Sequence, residues 1–217
     1  MQWWFGLALA PLALCGAQNG TELAPIMLYT RFAEQPPAAV RDAMQDEVRS
    51  IMAPMGLRFR WMDLAESNGK QVSVELAVIE FNGRCDVGGL TARDENPGAL
   101  GWTHISDGVI LPFANVDCAA VRSFIQKELL DMRLQTRAER FGRALGRVLA
   151  HELYHIFANT KRHGSEGVGR EFYSARDLLA ADFQFQAKES MALIHGKAHA
   201  ALVSAPAGLA EESEHRY

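Results

Sequence analysis

Hydrophobic and polar positions in the first part of the chain follow the patterns of short strands and one helix. An apolar stretch at residues 25–32 predicts a first strand, and residues 57–64 alternate with a period of two, as a half-buried strand does. Residues 72–81 predict a third strand. Apolar side chains recur at helical spacing over residues 39–52, directly after a Pro–Pro pair. The predicted order is therefore strand, helix, strand, strand.

The middle of the chain predicts a loop, two more strands and a helix. Residues 86–98 are rich in glycine, proline and charge, which indicates an irregular surface loop. Residues 99–105 predict a short strand, and after a turn residues 109–114 predict a fifth, in which a proline marks a weakly paired position. A helix is predicted at residues 119–132.

The longest helical pattern lies in the second half. Apolar residues at helical spacing run from Thr136 to Asn159. Thr136 and Glu139 have the form of a capping box, and Asn159 suits the left-handed backbone that ends many helices. After Tyr173 we predict one last long helix, followed by a charged, frayed tail at residues 211–217. The whole pattern predicts an α/β domain.

Composition and charge fit one globular domain. The chain has 217 residues, of which 48% are hydrophobic and 22% charged. A core of this size needs no disulfide for its stability. The formal net charge of −4 gives no electrostatic reason to expect a nucleic-acid partner.

The N-terminal residues 3–14 form an apolar run without a charge. This run is too short to span a bilayer but has the length of the apolar region of a secretory signal peptide. We therefore predict a signal peptide at residues 1–17, a mature domain at residues 18–217, secretion or export to a periplasm, and no stable membrane span. A buried N-terminal helix or strand is one alternative. A lipoprotein anchored through Cys15 is another.

Removal of the signal peptide would leave two cysteines, Cys85 and Cys118. An even number of cysteines in an exported chain is compatible with one disulfide. Two isolated buried thiols are the alternative, and the residues alone leave both open.

The segment HELYH at residues 151–155 carries the candidate chemistry. His151 and His155 lie four residues apart on the predicted helix, so both rings project from one face, one turn apart. That spacing lets both imidazoles bind a single tetrahedral Zn²⁺ ion. Glu152 points beside the metal, where it can take a proton from a zinc-bound water and deliver it to a leaving group. The alternative is that both histidines are polar surface residues of a helix.

A catalytic zinc usually has three protein ligands, and His163 is the leading candidate for the third. The chain is predicted to turn after Asn159, so a residue four positions later can fold back towards His155. The carboxylates Glu166 and Glu171 are alternative ligands, and a solvent-exposed His163 is the alternative to a metal role.

Three other histidines have weaker patterns. His195 and His199 repeat the four-residue spacing, but no acid follows the first, which favours an exposed helix face. His104 lies in a predicted strand, where it either lines a cleft or faces solvent.

The segment HELYHIFANTKRHG, followed by GVGREFYSARDLLAADF, resembles the active site of the metzincin zinc peptidases. In that family a zinc helix carries two histidines, the chain turns at a glycine, a third histidine follows, and a Met-containing turn lies beneath the metal. The resemblance extends over residues 25–188 and is specific at residues 151–183. It implies a metzincin-like catalytic domain with a mixed five-stranded twisted sheet, an antiparallel edge strand, a zinc helix and a C-terminal helix.

Carried over residue by residue, the resemblance implies that His151, His155 and His163 are the zinc ligands and that Glu152 is the general base. It implies one catalytic Zn²⁺ ion and hydrolysis of peptide bonds by a Glu-activated, zinc-bound water. Tyr173 is near enough in sequence to line the site.

Three positions depart from the family pattern. The third histidine of the family falls six residues after the second, where this chain has Lys161. The turn glycine of the family falls at Ala158, and Asn159 can make the same turn one residue later. Gly169 stands at about the place of the methionine, which removes the apolar floor expected under the metal.

The resemblance also implies how a substrate binds. The edge strand of the family borders the cleft and pairs with an extended peptide, a role that residues 99–105 would fill. The third and fifth strands of the family are adjacent and parallel, which would bring Cys85 and Cys118 close enough to bond. A peptide or protein substrate in an extended conformation is therefore expected. A non-catalytic zinc-binding protein on the same fold and a zinc hydrolase of a non-peptide amide are the alternatives.

Overall fold

The computed structural model describes residues 23–92 and 97–205. The predicted signal peptide at residues 1–17, Cys15 and the charged tail at residues 211–217 lie outside the described residues.

A five-stranded mixed sheet forms the middle of the fold. Its strands are β1 (Ile26–Phe32), β2 (Phe59–Asp63), β3 (Leu76–Asn82), β4 (Gly101–Ser106) and β5 (Val109–Asp117). The spatial order is β2-β1-β3-β5-β4, and every neighbouring pair is parallel except β4 and β5. The predicted α/β class, the mixed sheet and the antiparallel edge strand are thereby confirmed.

Six helices accompany the sheet in the described parts of the chain. They are α1 (Ala38–Met52), α2 (Cys118–Leu129), α3 (Leu134–Phe157), α4 (Ala175–Leu179), α5 (Ala187–Ile194) and α6 (Lys197–Ser204). No helix in these residues has both the length and the apolar character needed to cross a membrane.

The long helix α3 packs against α1 at backbone contact. A Cβ atom on residue 142 would lie 2.3 Å from the carbonyl oxygen of Val40, and one on residue 146 would lie 2.7 Å from that of Met44. Gly142 and Gly146 are therefore required for this approach. Apolar side chains of both helices fill the core between them and the sheet. Helix α3 is thus fixed in position, and the site is built on it.

A buried arginine joins α3 to α1 and to the C-terminal end of α4. The guanidinium of Arg147 is fully buried, and its Nε lies 2.6 Å from Oε1 of Glu47 on α1. Its other nitrogens donate to the carbonyl oxygens of Asp177 and Ala180, both at 2.8 Å. The guanidinium also lies over the Phe183 ring, 5.0 Å from the ring centroid.

The prediction of a capping box at Thr136 is wrong. Helix α3 begins earlier, at Leu134, with Arg133 at the N-cap and no side-chain cap. Arg137 explains the shift, because its guanidinium donates to the carbonyl oxygens of Leu130 and Met132. These bonds tie the first turn of α3 to the end of α2, so the helix starts directly after a short connection.

The prediction of one last long helix is also wrong. Helix α4 ends at Leu179, residues 180–186 are not helical, and α5 and α6 follow as two separate helices. The carbonyl oxygens of Asp177 and Ala180 accept hydrogen bonds from Arg147, which takes the place of the backbone N–H donors that a continuing helix would supply. Phe183 nevertheless faces the core as predicted, from an extended segment.

Cys85 and Cys118 form the disulfide that the family resemblance implied. Both residues are buried, and they link the loop after β3 to the first residue of α2. The closed loop spans 33 residues and contains β4 and β5. Such a bond stabilises a fold by restricting the unfolded chain. Disulfides persist in oxidising compartments, so this bond is compatible with an extracellular protein.

Replacing both cysteines, as Cys85→Ala and Cys118→Ala, should lower the free energy of unfolding by about 2–4 kcal/mol because the unfolded chain gains freedom. Urea denaturation measures this loss. Reductant should lower the midpoint of the wild type and leave that of the double variant unchanged. Equal urea midpoints for the double variant and for the wild type without reductant would contradict the prediction.

Candidate metal centre

Helix α3 presents His151 and His155 on one face, one turn apart, as the spacing predicts. Both side chains are buried, and their Nε2 atoms are 3.0 Å apart. Two ligand nitrogens of a tetrahedral zinc, each at about 2.0–2.1 Å from the ion, lie about 3.3–3.4 Å apart. The separation of the two Nε2 atoms is close to that value.

The turn after α3 brings His163 to the same point. The helix ends at Phe157, and Asn159 has a φ of 48°, the left-handed conformation expected for it. The His163 ring centroid then lies 5.2 Å from that of His151 and 4.8 Å from that of His155. Ligand atoms of the three histidines all lie within 4.8 Å of one another, so the three side chains could hold one metal ion.

The carboxylates considered as alternative ligands do not join this group. Among the described residues, the cluster of potential metal ligands contains the three histidines and neither Glu166 nor Glu171. Glu171 lies on the wall of the adjacent cavity.

Backbone carbonyls fix the tautomers of the two buried rings. Nδ1 of His151 donates to the carbonyl oxygen of Val168 at 2.8 Å, and Nδ1 of His155 donates to that of Thr160 at 2.7 Å. A carbonyl oxygen only accepts, so each Nδ1 carries the proton and each Nε2 keeps a lone pair. Metal-binding histidines in proteins are held in the same way. Two lone pairs at 3.0 Å repel each other unless a cation lies between them.

Burial keeps both rings neutral, which is the form that binds a metal. Burial, aided by repulsion from a charged His155, lowers the pKa of His151 to about 3. Burial also lowers the pKa of His155. The donor set of three imidazoles therefore fits a tetrahedral metal such as Zn²⁺, and no proton has to leave the buried rings at neutral pH.

Glu152 lies beside the histidines and is held by the edge strand. Its side chain is buried, and its Oε2 accepts a hydrogen bond from the Thr103 hydroxyl on β4 at 2.7 Å. Burial raises the pKa of Glu152 to about 7, against the lowering effect of the Thr103 bond. A Cβ atom on residue 101 would lie 3.1 Å from Oε1, so Gly101 allows β4 to approach the carboxylate.

Tyr173 supports the ring of His151 from below. Its hydroxyl donates to the Val168 carbonyl oxygen and lies 2.8 Å from Nδ1 of His151. Burial, with the charge of Glu152, raises the pKa of Tyr173, so the phenol stays a donor. Tyr173 therefore contacts the site, as its place in the sequence suggested.

A cavity of about 630 Å³ opens over these residues. One wall is the edge strand β4, and apolar side chains line the cavity beside it. This apolar lining includes Leu100, Ile110, Phe124 and Val148. The three histidines and Glu152 face this cavity, so the cluster is accessible to a ligand.

The other three histidines of the described residues lie outside this cluster. His195 is exposed at the end of α5, and His199 belongs to α6, so the two do not share a helix. His104 is exposed on β4, where its Nε2 accepts from the Asn115 side-chain amide at 2.6 Å.

Two functional contacts were not predicted from the sequence. Thr103 lies in the predicted edge strand, but nothing in the local pattern shows that its hydroxyl meets Glu152. The Val168 contact is made by a backbone carbonyl oxygen, so no side-chain pattern in the sequence indicates it. Both contacts depend on how β4 and the 164–170 turn pack against α3.

No family model matches this chain, and no curated protein matches it. The fold and the site therefore define its class: an α/β protein with a mixed sheet and a three-histidine cluster that could bind a metal ion.

Metal titration tests the cluster directly. The wild type should bind one Zn²⁺ per chain, and His151→Ala or His155→Ala should weaken binding at least about 100-fold, since each removes one of three ligands. Competition with a chromophoric chelator measures the affinity. His195→Ala, which changes an exposed histidine outside the cluster, is the matched control. Equal affinities for the His151→Ala variant and this control would exclude the cluster as the metal site.

Proposed function

We propose that this protein is a metzincin-like zinc metallopeptidase that hydrolyses peptide bonds. One observation carries the proposal: three histidines converge beside a buried glutamate at the wall of an open cleft. The family resemblance of residues 151–183 supports it, as does the mixed sheet with its antiparallel edge strand.

His151, His155 and His163 would hold the zinc, and all three side chains line the cavity that a substrate would enter. When bound, a zinc ion at such a site lowers the pKa of a water molecule to about 7 and polarises a carbonyl oxygen. A cluster made only of imidazoles suits zinc better than Mg²⁺ or Ca²⁺, which prefer oxygen ligands.

Glu152 is the general base and then the general acid. Its carboxylate accepts the proton of the attacking water and returns it to the nitrogen of the departing amine. A pKa near 7 suits both directions of this transfer at neutral pH. Thr103 holds Oε2 by its hydroxyl, which orients the carboxylate and leaves Oε1 to exchange the proton.

The edge strand binds the substrate. Strand β4 pairs with β5 on one side, and no described strand pairs with its other side. An extended peptide can therefore add to that side through backbone hydrogen bonds. The apolar lining of the cavity beside β4 would then contact a substrate side chain next to the scissile bond. Export of the protein, consistent with the buried disulfide, belongs to the same proposal.

Glu152→Gln should keep zinc binding and lower peptide hydrolysis at least about 100-fold, because the amide cannot accept the proton. A library of quenched fluorescent peptides measures cleavage, and chelator competition measures the metal. A fully active variant would rule out this mechanism. Stoichiometric zinc in the wild type without cleavage of any library member would favour a non-catalytic zinc-binding protein.

Thr103→Val removes the hydroxyl that orients Glu152 and preserves the shape of the side chain. We expect kcat to fall about tenfold with zinc affinity unchanged, as is usual for lost supporting hydrogen bonds. Steady-state kinetics on the best library peptide measures the effect. Thr103→Ser, which keeps the hydroxyl, should retain most of the activity. An unchanged kcat in Thr103→Val would show that Glu152 needs no such support.

A further inference from the structure

One buried carboxylate has no role in the mechanism proposed above. Glu189 lies on α5 with only 4% of its surface exposed, and its Oε2 has no hydrogen-bond partner among the described residues. A buried polar group without a partner is unfavourable in a folded protein, and a buried charge is more so. Glu189 therefore calls for a partner that residues 23–92 and 97–205 do not supply.

The Glu189 side chain packs beneath the loop that carries His163. A Cβ atom on residue 164 would lie 2.6 Å from Oε1 of Glu189, and one on residue 169 would lie 2.7 Å from its Cγ. The two glycines are themselves joined, since the Gly164 N–H donates to the Gly169 carbonyl oxygen at 2.7 Å. Any residue larger than glycine at either position would collide with Glu189.

Each glycine is adjacent to a residue of the metal centre. Gly164 follows His163, and Gly169 follows Val168, whose carbonyl oxygen holds Nδ1 of His151. One side chain thus supports the third histidine and the carbonyl partner of the first. Gly169 also stands where the metzincin pattern has methionine, and here the side-chain carbons of Glu189 pack against that position.

The nearby groups do not neutralise Glu189. No ion pair joins it to a lysine, arginine or histidine in the described parts of the chain. Tyr154 on α3 is a neighbour, and the Glu189 charge adds to burial in raising the pKa of Tyr154. A feature that calls for a positive charge is joined to the same loop: the histidine cluster, whose lone pairs face one another and whose third member, His163, precedes the glycine that Glu189 contacts.

We propose that Glu189 is the buried counter-charge of the metal centre and positions the loop that carries His163. Three neutral imidazoles contribute no charge, and the Glu152 carboxylate offsets one of the two positive charges of Zn²⁺. Glu189 offsets the other from beneath the loop. The carboxylate therefore raises the affinity for a divalent cation without touching it, in the manner of outer-shell groups at metal sites. This inference rests on the proposed zinc function.

Glu189→Gln separates this role from simple packing, because the amide has the same shape and no charge. We expect Zn²⁺ affinity, measured by chelator competition, to fall about 10- to 100-fold. The thermal midpoint of the metal-free protein should stay the same or rise, since an unpaired buried charge has been removed. Glu128→Gln, which removes an exposed carboxylate on α2, is the control for net charge and should change neither quantity.

Three results would overturn the inference. Unchanged zinc affinity in Glu189→Gln excludes a counter-charge. A lower midpoint of the metal-free variant shows a structural role instead. A wild type that binds no zinc overturns both the proposed function and this inference. If the wild type binds zinc and the Glu189→Gln variant binds it with equal affinity, only this inference is overturned.

A second variant covers the case in which Glu189→Gln does not fold. Gly164→Ala keeps every charge and pushes on the carboxylate from the loop side. The visible spectrum of bound Co²⁺ should then shift, because the loop that carries His163 has moved. A Co²⁺ spectrum identical to that of the wild type would show that Glu189 does not position this loop.

Discussion

The buried guanidinium of Arg147 joins three parts of the chain, and the site depends on the relative positions of all three. It binds Glu47 on α1 and donates to the carbonyl oxygens of Asp177 in α4 and of Ala180 directly after α4. Arg147 lies one turn before His151 on α3, so these contacts fix the helix and the segment after the histidine cluster together. A buried ion pair is costly to desolvate, and it is retained in this fold with its hydrogen bonds satisfied from several sides.

The three-histidine cluster is held in place by contacts that do not involve a metal. Backbone carbonyls fix both buried imidazoles, Tyr173 fixes one of those carbonyls, and Thr103 fixes Glu152. As a consequence, the Nε2 lone pairs of His151 and His155 face and repel each other in the metal-free protein. A cation would relieve that repulsion, so a part of its affinity would come from strain already present in the protein.

Much of the fold could be predicted because its signals are local. Neighbouring residues alone indicate the strand patterns, the apolar stripe of α3, the HELYH spacing and the stop at Asn159. The misplaced start of α3 and the broken final helix have a different origin, which is hydrogen bonding by arginine side chains. Arg137 binds the carbonyl oxygens of Leu130 and Met132 before the helix, and Arg147 binds carbonyl oxygens 30 and 33 residues along the chain. The support of the site by Thr103 and Glu189 depends on the packing of whole elements, which a single sequence does not encode in any local pattern.

The disulfide between Cys85 and Cys118 encloses the loop before β4 as well as the strands that form one wall of the cleft. A cut of the backbone between these cysteines would leave two pieces still joined by sulfur. The part that carries β1 and α1 could not diffuse away from the part that carries α3. A single proteolytic cut between the two cysteines would therefore leave both walls of the cleft in one covalent molecule.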